Sequence, residues 1–168
     1  IIKQNNAIGG NYMEQTLVVA KAFYDLFLEK HNATMDQMRM HKLMYFAQRE
    51  SLMYNKEPLF AGEFVGWKYG PVLLEVRSEY LKERPFSDVM DKVCDATMKL
   101  VKAVCERYDN VSSWKLSTLS HGEVSWKRSR RGLEPDENGS VKLKLNDMKV
   151  DAARELAKRK KYESMENN

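Results

Sequence analysis

The chain has 168 residues, 43% hydrophobic and 31% charged, with a formal net charge of +4. That length holds one ordinary domain with its own core, and the composition excludes a disordered chain. No apolar run approaches the roughly 18 residues of a membrane helix, no charged leader precedes an apolar stretch and a cleavage site, and so modest a charge leaves nucleic acid possible without favouring it.

Residues 1–12 contain Asn5, Asn6, Gly9, Gly10 and Asn11 and show no helical period. They suit an extension ahead of a natural start at Met13, or else a flexible N-terminal arm. From Glu14 to about Lys30, Val19, Ala20, Phe23, Leu26 and Phe27 recur at helical spacing, with Lys21, Asp25 and Glu29 on the wet side. Thr34 followed by Gln37 has the form of a capping box. It opens a helix to about Tyr54 whose apolar residues cover more than one face, which marks the centre of the core. Pro58, Gly62, Gly66, Gly70 and Pro71 exclude a long helix over residues 55–72. Phe64–Trp67 suits a short strand, and Gly70-Pro71 a boundary. A short helix from Leu73 to about Lys82 follows.

Ser87 can cap the next helix, with Asp88 and Asp91 at its positive end. Val93, Thr97, Leu100, Val104 and Tyr108 mark its inner stripe. Cys94 and Cys105 fall on this helix, about 16 Å apart along its axis, beyond disulfide reach. Two reduced thiols fit a reducing cytoplasm. Ser112 or Ser113 caps a shorter helix with Trp114, Leu116 and Leu119, and residues 123–131 add another turn or two. After a loop at 132–139, Val141–Leu145 alternates like a short strand. Asn146 or Asp147 then caps a last helix to about Tyr162. The expectation is a mainly α, single compact multi-helix domain over residues 13–163, with a frayed tail at 164–168. Residues near 63–68 and 141–145 form its small β element.

The catalytic patterns are missing. There is no nucleophile elbow, phosphate loop or dinucleotide fingerprint, and the three histidines form no metal spacing. His121 with Glu123 suggests an acid–base pair, but two residues apart on a turn they point differently if helical, and a structural His121 is the simpler reading. The expectation is therefore a protein that is not an enzyme and needs no cofactor. Two basic groups, at Lys127, Arg128, Arg130 and Arg131 and at Lys158 to Lys161, suit contacts to phosphates. They equally suit solvated helix ends. Methionines crowd residues 35–53, as core filler or as a pliable binding surface. Trp67 and Trp126 suit partly exposed anchors.

Three stretches carry a resemblance: Met40-His-Lys-Leu-Met-Tyr-Phe-Ala-Gln48, Pro58-Leu-Phe with Phe64-Val-Gly-Trp-Lys-Tyr-Gly-Pro-Val72, and Leu116-Ser-Thr-Leu-Ser-His-Gly-Glu-Val-Ser-Trp126. Together they resemble the SocA-like, or Panacea, antitoxin domain of phage-associated GepA-like proteins, from about Leu17 to Leu145. The family pattern usually has Ala where this chain has Gly66, and often Pro where it has Ser125. The resemblance implies a mainly helical cytoplasmic antitoxin that neutralises a cognate protein toxin, encoded next to it, by binding. One branch acts instead as an adaptor to a ClpXP-type protease. It also implies a motif scaffold of Lys42, Leu43, Tyr45, Phe46, Ala47, Trp67, Tyr69, Gly70, Pro71, Val72, Leu116, His121 and Trp126. The toxin-facing surface varies with the toxin and is not carried over. Our candidates for it are Trp67, Tyr69, Lys127, Arg128, Arg130, Arg131, Lys158 and Arg159, anchoring an occluded toxin active site. A nucleic-acid-binding regulator using the basic groups is the alternative.

Overall fold

A computed structural model describes residues 13–166. The expectations for residues 1–12, and for the last two residues of the tail, lie outside the described residues. Seven helices and one hairpin are present among the described residues: α1 Thr16–His31, α2 Gln37–Tyr54, β1 Val65–Trp67, β2 Gly70–Val72, α3 Leu74–Tyr80, α4 Asp95–Tyr108, α5 Ser113–Ser120, α6 Val124–Ser129 and α7 Leu145–Glu166. Among the described residues, no helix is long and apolar enough to cross a membrane.

The apolar coverage of α2 has its structural counterpart. Every residue from Met40 to Met53 is buried, and α1, α3, α4, α5, α7 and β2 all pack on it. Phe23 of α1, Phe46 of α2, Val101 of α4 and Leu116 of α5 meet in one core. Each full burial of such a side chain contributes about 1.5–3 kcal/mol. Met35, Met40, Met44 and Met53 are core residues. A helix wrapped on all sides also encloses its polar residues, so Lys42, Arg49 and Glu50 are buried and need partners.

The structure corrects four local expectations. The cap of α2 is Asp36, whose carboxylate accepts from the Arg39 N–H at 2.8 Å, while the Gln37 side chain turns to His41. α4 starts at Asp95 rather than near Ser87, which leaves Cys94 at its cap. Gly70-Pro71 lies inside β2, and β1 pairs antiparallel with it in the register Val65 to Val72 and Trp67 to Gly70. Residues 141–145 form no strand. They meet β1 through a bridge from Lys142 to Val65 and a Gly66 N–H bond to the Val141 carbonyl at 3.4 Å, and the residue before β1 through a Leu143 N–H bond to the Phe64 carbonyl at 2.8 Å, and Leu145 already begins α7.

Candidate functional site

The hairpin is gripped from three sides. Lys42 Nζ donates to the Pro71 carbonyl at 3.0 Å, and His41 Nδ1 accepts the Leu73 N–H at 3.3 Å. From α5, the Ser117 hydroxyl donates to the Tyr69 carbonyl at 2.8 Å. From α6 and its end, Trp126 Nε1 donates to the Trp67 carbonyl at 2.8 Å and Arg130 to the Gly66 carbonyl at 2.9 Å. Gly70 sits at φ 109° against Lys42 and Ser120, a conformation that favours glycine. The His121 ring stacks on Trp126 with centroids 4.2 Å apart. Burial drives the Lys42 ammonium down to about 7 and the His41 imidazole down to about 3, because desolvation disfavours each charged form.

This grip displays the turn outward. Tyr69 and Trp114 are exposed, and their rings meet edge-on at 5.3 Å. Lys68 Nζ lies 4.9 Å from the Tyr69 ring, and the Arg77 guanidinium 5.3 Å from the half-buried Trp67. Trp114 belongs with the expected anchors Trp67 and Tyr69, and sequence reasoning missed it. The signal was there: Leu116 is buried, and a residue two positions away on a helix points to the other side.

The basic candidates divide. Lys127, Arg131 and Lys158 are exposed. Arg128 pairs with Asp147. Arg130 donates to the carbonyls of Gly66, Glu134, Pro135 and Glu137. Arg159 is buried and holds Glu50 through two bonds of 2.7 and 2.8 Å. Lys42, at the hairpin, and Glu50, at Arg159, are eight residues apart on α2, about 12 Å along its axis. Arg130 thus sits at the hairpin, whereas Arg159 is held further along α2.

His121 and Glu123 also part company. Glu123 takes Arg49 at 2.5 Å and the Tyr45 hydroxyl at 3.2 Å, within a buried network that includes Ser125 and Asp151. Burial pushes the Glu123 carboxyl up against the opposing pull of Arg49.

A family model described as the antitoxin SocA-like, Panacea domain matches residues 40–127, just over half of the chain. The chain belongs to this family. No curated protein and no solved structure matches it. The matched part of the Panacea domain begins within α2, takes in the hairpin and ends within α6, so it contains every contact that grips the turn except the Arg130 guanidinium. Leu43, Phe46, Ala47 and Leu116 are core residues within it. Both departures from the family pattern have local consequences. A Cβ on Gly66 would collide with Ser129 Oγ, so the missing methyl is filled by that hydroxyl. Ser125 places its hydroxyl 3.0 Å from the Tyr45 oxygen, a contact proline has no group to make.

Proposed function

We propose that this Panacea domain is a cytoplasmic antitoxin, a binder rather than an enzyme, that neutralises a cognate protein toxin encoded beside it. The toxin's active site is covered by the face built on the hairpin turn. The observation that carries this reading is the exposed Tyr69–Trp114 ring pair on a backbone fixed by side chains of α2, α5 and α6. Nothing in the core needs two large rings held in water, and aromatic side chains dominate binding hot spots. A fixed turn also loses little freedom on docking. Lys68 Nζ lies over the Tyr69 ring and Lys115 follows Trp114 in sequence, and neither residues 67–70 nor α5 carries a carboxylate. The face thus complements an acidic toxin surface.

The basic residues rank lower as anchors, since Arg128, Arg130 and Arg159 already have internal partners. That same pairing weakens the nucleic-acid alternative, which is left mainly with Lys127, Arg131 and the exposed lysines of α7.

The test is co-expression with the neighbouring gene. The neighbour alone should stop growth, and this protein should restore it and co-purify with it. A Tyr69→Ala/Trp114→Ala double variant should fold normally, bind at least about 100-fold more weakly (two hot-spot residues) and fail to rescue. Rescue by the double variant equal to wild type would remove the hairpin face from the mechanism. Rescue accompanied by a fall in toxin abundance would shift the reading to a protease adaptor.

A further inference from the structure

A second concave site lies away from the hairpin, in a cleft of about 620 Å³ between α2, α4, α5 and α7. Its inner wall is Phe46, Tyr108 and Leu119. Arg107 reaches it from the end of α4, and Arg154 and Lys158 from α7. On α7 these two share a face with Asp151 and Glu155, as positions three, four and seven residues apart do.

The charges of the cleft are unevenly satisfied. Asp151 accepts from the Val124 N–H at 2.6 Å, the Ser125 N–H at 3.0 Å and the Tyr45 hydroxyl at 2.9 Å. Glu123 is held by Arg49, and Glu155 by Arg159 at 3.0 Å. Each carboxylate thus has donors from within the fold. Arg107, Arg154 and Lys158 have no ion-pair partner among the described residues, and Arg107 and the two α7 cations are exposed. On the floor, the enclosed Arg49 keeps a buried Nε donor with no hydrogen-bond partner, although its two terminal nitrogens are engaged. A buried donor left without a partner is uncommon in a folded protein. Exposed cations at the mouth without ion-pair partners suit an anion with several acceptor oxygens. The volume is that of a small-molecule site, and the apolar wall leaves room for an organic part.

We propose that this cleft binds a phosphate-bearing small anion of nucleotide size. Phosphate oxygens would lie among Arg107, Arg154 and Lys158, where guanidinium groups give paired, charge-assisted bonds. The rest of the molecule would lie against Tyr108 and Leu119. This site is independent of the toxin-binding reading.

The experiment is calorimetric titration of the purified full chain, without toxin, using ATP and separately sodium tripolyphosphate at low salt. Saturable one-to-one binding is expected. It should fall about tenfold in Arg154→Ala and again in Arg154→Ala/Lys158→Ala, roughly one charge-assisted contact each, and stay unchanged in Lys99→Ala. Tighter binding of ATP than of tripolyphosphate would place the organic part on the apolar wall, and equal binding would show that the phosphates alone are recognised; either supports the site. No saturable heat with either probe at millimolar concentration would overturn it. So would affinity unaltered in the double variant, or displacement of ATP by an equimolar glutamate-rich peptide, which would mark the cleft as a seat for an acidic protein segment. Because no toxin is present, none of these failures bears on whether the hairpin face neutralises one.

Discussion

Lys42 and His41 are neighbours on α2, and both are held out of water beneath the hairpin. Folding lowers the lysine from 10.5 to about 7 and the histidine from 6.5 to about 3, in each case chiefly by desolvation. Between about pH 7 and 10.5 the unfolded chain therefore binds more protons at Lys42 than the folded one, so stability rises with pH through that window. His41 acts in the same direction between about pH 3 and 6.5, where acid favours the unfolded chain. Cys105 and the buried Tyr45 and Tyr108 are shifted upward; unfolding lets them ionise first, so they reverse the trend above about pH 9. Urea unfolding at pH 7.0 and 8.5 isolates the lysine. The wild type should gain on the order of 1 kcal/mol at the higher pH, and Lys42→Met should gain almost nothing. Equal gains would mean that the lysine keeps its charge in the fold. Gly70 is equally exacting: φ 109° and a Cβ 2.5 Å from Lys42 Cε make Gly70→Ala cost about 2–3 kcal/mol in the same assay. Spacing along α2 does not reveal a buried lysine, because what buries it is a hairpin 29 residues further on. The family resemblance was what singled it out.

Elements were legible where neighbours in sequence decide them. The apolar stripe of α1, the all-round burial of α2 and the Ser112 cap of α5, which accepts from the Lys115 N–H at 3.2 Å, all follow from local pattern. The start of α4 does not. Ser87 with Asp88 and Asp91 has the chemistry of a helix start, but the Phe86 N–H is taken by Glu79 at 2.8 Å and the Cys94 N–H by Glu14 at 2.9 Å. Carboxylates from α3 and from just ahead of α1 thus hold residues 86–94 in an irregular path, with Phe86 buried at φ 63°. The basic run on α7 is illegible for a related reason: nothing in Lys158-Arg159-Lys160 shows that Glu50 of α2 binds the middle residue. Arg159 and Glu50 are each about nine-tenths enclosed. Arg159→Ala would strand that carboxylate and should cost about 3 kcal/mol in chemical denaturation. Glu50→Leu/Arg159→Leu removes both charges and should recover most of the loss, since a buried pair replaced by apolar residues is often near neutral. A double variant as unstable as the single one would show that the ion pair itself stabilises the fold. At the other interface, Gly66→Ala should destabilise by crowding Ser129 Oγ, and Ser129→Ala should relieve part of that loss, a coupling that a double-mutant cycle reads directly.

At the scale of the molecule, the family-defining stretch and the folding unit are different lengths of chain. Residues 40–127 carry the motif, yet their core is completed from outside. Val19, Ala20 and Phe23 of α1 are fully enclosed, and α1 packs on both α2 and α4. From α7, Asp151 satisfies the first backbone donors of α6 and the Tyr45 hydroxyl, and Arg159 balances Glu50. Without α7, Tyr45, Arg49 and Glu50 would face water or each other, and buried charge without a partner is strongly unfavourable. Beyond Arg159, residues 160–166 are exposed. A chain of residues 1–160 should therefore unfold in one cooperative transition close to that of the full chain. A chain of residues 40–127 should show helical signal without a cooperative transition, having lost the apolar face of α1 and the acids of α7 together. Thermal melts followed by circular dichroism separate the two. A sharp transition in the short chain would mean that the hairpin and its α2, α5 and α6 supports fold without either terminal helix. The grip on Tyr69 and Trp114 would then belong to the motif alone rather than to the whole domain.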